Sequence, residues 1–327
     1  MGEVPSWFTA FADLLKRHPR ALVAGQVAAL AIFLGFLGWA IRDSFSDAGE
    51  RLRDADPIDF LIACGFLSAY YLLFVVGWMW ILRAWGIRIG YGGALRAEMV
   101  SMLAKYVPGG VWTPAARVLA ARRAGVTQAG LVTASILVEA GLSAISGVIV
   151  FVVSLFWTHG VDAPLAPLIA FAVVVALLLH PRIFQPLATR VLRRFGCENV
   201  PPLPARTMLT LLVYYCFTWL IGGAALLFLV RSVGGSPSWT TVAYLGGVSA
   251  VGAIVAVLSI IAPSGLGPRE ASMYGLLLAV TSEGAALGAI VLNRVAITVI
   301  EVLLLLVGGL VLRTRGEPSL RPREGET

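Results

Sequence analysis

Long apolar runs recur along this chain, at about 21–41, 58–82, 130–156, 164–180, 207–230 and 285–312. Each is close to or beyond the roughly 20 residues that an α-helix needs to cross the hydrocarbon core. Two further regions are apolar but interrupted. Residues 93–121 carry Arg96, Glu98 and Lys105, break at Pro108-Gly109-Gly110, and resume through Pro114 and Arg117 to Arg122-Arg123. Neither arm is long enough to span alone, so this region reads as a re-entrant hairpin. Residues 240–280 break at Pro263-Ser264-Gly265-Leu266-Gly267-Pro268-Arg269-Glu270 and read as a second hairpin or as two short crossings. Broken backbone is tolerated at membrane depth only inside protein or beside a wet cavity.

The flanks have a different pattern. In residues 1–20, Trp7, Phe8, Phe11, Leu14 and Leu15 share one helical face and precede Lys16, Arg17 and Arg20, as in a helix lying in the interface. The linker 181–206 sets Arg182, Arg190, Arg193, Arg194 and Arg206 against Glu198 alone. Its apolar stripe of Ile183, Phe184, Leu187, Val191 and Leu192 ends at Pro201, Pro202 and Pro204, which predicts a basic interfacial helix. The tail 313–327, rich in Arg, Glu and Pro, is expected to be disordered. Residues 21–312 then form a single transmembrane domain.

Composition agrees. Of 327 residues, 58% are hydrophobic and 13% charged, with a mean hydropathy of +0.87. Soluble domains are about 45–50% apolar and about 25% charged, so a soluble fold, a disordered chain and a disulfide scaffold are all excluded. The length holds roughly seven to nine crossings and leaves no room for a separate soluble catalytic domain. The net charge of +7 is carried by arginine, since Lys16 and Lys105 are the only lysines. It marks cytoplasmic loops rather than a nucleic-acid partner. The N-terminus, 83–92, 122–129, 181–206 and the tail are basic and are expected inside; 42–57, 157–163 and 231–239 are expected outside. Both termini are then cytoplasmic, in what the arginine and alanine bias suggests is a bacterial inner membrane. Cys64, Cys197 and Cys216, like His18, His159 and His180, are scattered, so neither a metal nor another cofactor is expected.

The interrupted regions occupy matching places. One triplet is span 58–82, broken region 93–121 and span 130–156; the other is 207–230, 240–280 and 285–312. A glycine pair precedes each break, Gly92-Gly93 and Gly246-Gly247. The loop charges start the first triplet outside and the second inside. The predicted fold is therefore an all-α polytopic transmembrane bundle with two broken or re-entrant helical hairpins in an inverted repeat, about 58–156 and 207–312. Paired interruptions of this kind point to a transporter site near the midplane. Unwound backbone and helix N-termini there suit an anion.

Ionisable residues inside spans cost roughly 2.5–3.5 kcal/mol each on insertion scales and are functional candidates by default. Lys105 either holds a phosphate as a point charge or snorkels to the interface. Arg117 either offers a bidentate fork to phosphate or is an ordinary inside arginine. Glu270 is placed to cap the following helix or to pair with Arg269, Arg117 or Lys105. Glu139 lies mid-span, and Arg294 and Glu301 share a helix face; they are candidates for proton transfer, or for a helix-holding pair in which Glu139 or Glu301 meets Arg294. Trp112 either stacks on a headgroup or anchors the hairpin tip. Arg96 and Glu98 are expected at the interface, and Trp39, Trp78, Trp80, Trp85, Trp157 and Trp239 in the aromatic belt. Gly141, Ser143, Ser146 and Gly147 are expected to permit close helix packing.

The two breaks also carry a resemblance. Lys105-Tyr106-Val107-Pro108-Gly109-Gly110-Val111-Trp112, followed by Arg117, resembles the first signature of the lysylphosphatidylglycerol synthase transmembrane family. Pro263-Ser264-Gly265-Leu266-Gly267-Pro268-Arg269-Glu270-Ala271 resembles its second, P-G-G-L-G-x-x-E-A, with Ser264 in place of the middle glycine. The resemblance runs over about 20–312 and implies lipid translocation. The family includes the flippase half of the bacterial multiple-peptide-resistance factor and members linked to hopanoids and polyprenyl-linked sugars. The soluble aminoacyl-transfer domain of the synthase is absent from this sequence, so aminoacyl-lipid synthesis is not expected.

The expected function is thus a flippase for an anionic phospholipid, an aminoacyl-lipid or a polyprenyl-phosphate-linked sugar. Its binding residues would be Lys105, Pro108, Gly109, Gly110, Trp112, Arg117, Pro263, Gly265, Gly267, Arg269 and Glu270. The alternative is an integral-membrane enzyme, or a subunit partnering an enzyme of envelope lipid or glycan synthesis. No Asp-rich motif and no histidine near either signature supports catalysis, so the chain is not expected to be an enzyme. An oligomer is compatible with the sequence.

Overall fold

The computed structural model describes residues 50–104, 112–158, 165–192, 200–259 and 265–314. The expected interfacial helix 1–20, span 21–41, Lys105, Pro108, Gly109, Gly110, Pro263 and the tail beyond 314 lie outside them.

The described chain is helical: α1 (Pro57–Ala84), α2 (Tyr91–Ala104), α3 (Trp112–Arg123), α4 (Ala129–Ser154), α5 (Leu165–Leu179), α6 (Pro181–Leu192), α7 (Ala205–Ser232), α8 (Val242–Leu258), α9 (Pro268–Leu277) and α10 (Glu283–Thr314). Helix α1 starts where Asp56 accepts from the Ile58 N–H at 2.7 Å, with Pro57 in the first turn, where its missing N–H costs nothing. Among the described residues, five segments are long and apolar enough to cross a membrane: α1, α4, α7, Trp239–Leu258 and Glu283–Val307. The fourth is the first arm of the second broken region. It is 20 residues long and carries no charge, so here one arm alone is span-length. The arms of the first region, α2 and α3, are 14 and 12 residues, too short to span at 1.5 Å per residue.

Helix α7 is central. Leu211, Tyr215, Thr218 and Gly222 face inward, while Leu209, Val213 and Phe217 on its other side are exposed. An apolar exterior around buried polar groups suits lipid surroundings. Helix α7 meets α8 backbone to backbone: a Cβ on Gly223 would stand 2.1 Å from the Val242 carbonyl oxygen, and one on Gly246 2.5 Å from that of Trp219. A Cβ on Gly147 would stand 2.5 Å from that of Ala250, and one on Gly141 2.8 Å from a Leu179 methyl, so these glycines permit close packing.

Helices α1 and α7 run antiparallel. The Asp56 N–H donates to Ser232 O at 2.8 Å, Phe66 stacks on Phe228, Phe74 packs on Tyr215 and Trp80 on Tyr214. The packing also repeats under one exchange of helices: α1 for α7, α2 for α8, α3 for α9 and α4 for α10. Helix α2 packs on α3 as α8 does on α9, α4 on α8 as α10 on α2, α4 on α7 as α10 on α1, and α3 on α4 as α9 on α10.

Candidate functional site

Among the described residues, two charged clusters stand out, a buried one beside the first interrupted region and a partly buried one beside the second. The first gathers Glu98 of α2, Arg117 of α3 and Glu139 of α4, exposed to 0%, 4% and 2%. Arg117 pairs with Glu98 through Nη2 and with Glu139 through Nη1. Its Nε donates to Ser101 Oγ at 3.5 Å, and its guanidinium lies over the Trp78 ring, 5.1 Å from the centroid. A cation between two carboxylates and an aromatic face offsets much of the desolvation that each charge suffers. Tyr215 of α7 donates to Glu139 at 3.5 Å. Helix α3 brings Arg117 here because its short, alanine-rich arm packs along both α2 and α4.

The second cluster stands at the start of α9. Gly267 has φ +100, a conformation that only glycine adopts without strain. Its N–H donates to Glu270 Oε2 at 2.6 Å, so Glu270 does cap the helix. The other oxygen of Glu270 lies 3.7 Å from Arg294 Nη1 on α10, with both side chains about one-fifth exposed. Glu301, also on α10, accepts from Tyr71 of α1 at 2.7 Å. Gly265, at φ +65, is buried against Ala256.

Two further polar groups are of another kind. Arg269 of α9 is half-buried, its stem fitted against Gly252. Among the described residues its guanidinium has neither a hydrogen-bond nor an ion-pair partner. Tyr70 of α1, also half-buried, packs its ring on Tyr71, Phe74 and Trp219. Its hydroxyl has no hydrogen-bond partner among the described residues. Tyr70 lies within electrostatic reach of Arg269, Glu139 and Glu98.

Several expectations change. Glu98 belongs to the core rather than the interface, because Arg117 draws it in. Glu139 pairs with Arg117, not Arg294; Arg294 pairs with Glu270, and Glu301 bonds Tyr71. Trp78 is fully buried, its indole N–H donating to Ser135 at 2.8 Å, and Trp85 is buried too. Trp80, Trp157 and Trp239 are exposed as belt residues should be, and so is Trp112 at the start of α3. Tyr70 was missed in the sequence. The signal was the Tyr70-Tyr71 pair in the middle of a span, repeated as Tyr214-Tyr215 in α7.

A search of curated proteins returns no match. The family model for the lysylphosphatidylglycerol synthase TM region matches residues 26–307, nearly the whole chain. With five span-length apolar helices, this is a multi-pass membrane protein, and it belongs to the lysylphosphatidylglycerol synthase transmembrane family.

Proposed function

We propose that the chain carries an anionic lipid headgroup between leaflets: that of a phospholipid, an aminoacyl-lipid or a polyprenyl-phosphate-linked sugar. The headgroup is met by Arg269 while the tail stays in the bilayer. One observation carries this reading. Arg269 is a half-buried cation with no protein anion among the described residues, within electrostatic reach of Tyr70, whose hydroxyl has no hydrogen-bond partner among them. Among the described residues, Glu98, Arg117, Glu139, Glu270, Arg294 and Glu301 all have protein partners. A guanidinium and a phenol are the donors that a phosphodiester accepts from. Glu270 and Arg294 hold the arm that presents Arg269. On this reading the protein moves its substrate without forming or breaking a bond, sits in a bacterial inner membrane with cytoplasmic termini, and works beside the envelope enzymes that make or use the lipid.

Lipid retention tests it. Native mass spectrometry of the protein from mixed phosphatidylglycerol–phosphatidylcholine micelles should show bound phosphatidylglycerol in excess. The excess should fall in Arg269→Ala and partly in Tyr70→Phe. Equal retention of both lipids by all three proteins would remove the reading.

A further inference from the structure

Helix α1 ends in a reversal that sets two arginines side by side. Gly86, at φ +74, closes the helix: its N–H donates to Arg83 O at 3.0 Å, and the Ile87 N–H donates to Leu82 O at 2.9 Å. This is the pattern of a C-terminal glycine cap. From there to α2, buried and exposed residues alternate. Trp85, Ile87 and Ile89 are buried, whereas Gly86, Arg88 and Gly90 are exposed. The two isoleucines pin the backbone, so Arg88 is held outward, beside Arg83 in the last turn of α1. Arg83, Gly86, Arg88 and Ile89 line a recess of about 560 Å³, a size common among small-molecule sites.

No carboxylate meets these guanidiniums. Neither has a side-chain hydrogen-bond or ion-pair partner among the described residues. Between 83 and 129 the one acidic residue is Glu98, which is buried and held by Arg117. The neighbouring turn adds charge of the same sign. A Cβ on Gly93 would stand 3.5 Å from Ile89 and 2.9 Å from Ala124, which places the exposed Arg122 and Arg123 at this same end. The acids Asp54, Asp56 and Asp59 are at the other end of α1. The recess also stands at the level of lipid. Trp80, one turn before Arg83 and on its face of the helix, is 38% exposed and packs on Tyr214 of α7. An exposed indole next to arginine at the end of an apolar span marks the headgroup layer. An anion that reaches this place from the Trp80 side comes attached to acyl chains.

We propose that Arg83 and Arg88 hold the phosphate of a resident anionic phospholipid whose chains lie along the face of α1 at Trp80. Two guanidiniums on a fixed turn can each offer a fork to phosphodiester oxygens, and basic pockets at the ends of spans take anionic headgroups in this way. A zwitterionic headgroup brings its own cation and gains less. The site is separate from Arg269, which belongs to α9 and has its stem against Gly252. The lipid bound here stays in its leaflet. It fixes the turn between α1 and α2, and with it the start of the first interrupted region. This assignment does not rest on the reading of Arg269.

Photo-crosslinking tests it in the full chain, reconstituted in phosphatidylcholine nanodiscs that contain a trace of phosphatidylglycerol or phosphatidylcholine with a diazirine in one acyl chain. Digestion and mass spectrometry read the labelling of the segment around Trp80. The phosphatidylglycerol probe should label it about tenfold more than the phosphatidylcholine probe, the effect of one charge-assisted contact. Arg83→Gln combined with Arg88→Gln should bring labelling down to the phosphatidylcholine level. Arg83→Lys combined with Arg88→Lys should keep part of the excess, because the charge remains. Arg269→Ala should leave it unchanged. Both arginines are exposed, so these variants should elute as folded protein. Equal labelling by the two probes, or an excess that survives the double glutamine change, overturns the proposal. Loss of the excess in Arg269→Ala overturns it too, since the label would then report on Arg269. Inorganic phosphate, compared with chloride at matched ionic strength, should not displace the probe; displacement would mean that the recess takes free phosphate, and the lipid assignment falls. None of these failures touches the lipid-retention result expected for Arg269.

Discussion

Arg117 and Glu139 form an ion pair that solvent hardly reaches, with exposures of 4% and 2%. Glu98 closes on the same guanidinium from α2, so one side chain ties three helices together. Removing the shared cation leaves two buried carboxylates behind, a loss of about 3–5 kcal/mol for a broken buried pair. Removing Glu139 leaves Arg117 with Glu98 and Ser101, a loss of about 1–3 kcal/mol. Thermal unfolding in detergent should therefore rank Arg117→Gln well below Glu139→Gln. Equal midpoints would contradict the shared-cation account.

Backbone contact between α7 and α8 makes a second prediction. Gly223→Ala would drive a methyl against the Val242 carbonyl and the Gly246 backbone nitrogen, and should cost about 1–3 kcal/mol, the usual range for overpacking. Gly65 in α1 has nothing within 4 Å of a built Cβ. Gly65→Ala should leave the midpoint unchanged or raise it, since alanine favours helix over glycine by about 1 kcal/mol.

How far the sequence disclosed all this follows from the range of each interaction. Spans at 58–82, 130–156 and 207–230 lie within two residues of α1, α4 and α7, because an uncharged apolar run of that length has few alternatives. The cap by Glu270 was legible because it is local, three residues from Gly267. Glu98, Trp78 and Tyr70 were not legible. Their partners lie far along the chain, on α3, α4, α7 and α9; Glu98 and Trp78, near the ends of their segments, look interfacial until the packing is known, and mid-span Tyr70 looks like one more apolar ring. The span-length first arm at Trp239–Leu258 was obscured by treating its broken region as one unit.

Gly267 supplies the next prediction. At φ +100 a side chain is strained by about 1–3 kcal/mol, and the cap on Glu270 would shift with it. Gly267→Ala should lower the unfolding midpoint and loosen the presentation of Arg269, so phosphatidylglycerol retention falls as well. Glu270→Gln keeps an acceptor for the Gly267 N–H but drops the charge facing Arg294, and should have the smaller effect on stability. The reverse order, read by the same unfolding and lipid-retention measurements, would contradict this account of the second break.

The most direct test of the central claim is translocation itself: fluorescent phosphatidylglycerol and phosphatidylcholine in proteoliposomes, with wild type, Arg269→Lys and Arg269→Ala compared at equal reconstitution. The account predicts that wild type moves phosphatidylglycerol faster than phosphatidylcholine, that lysine keeps part of this rate because the charge remains, and that alanine lowers it by about tenfold or more, the equivalent of one charge-assisted hydrogen bond. Phosphatidylglycerol crossing as fast with alanine as with arginine, or no lipid crossing with folded wild type, would contradict it.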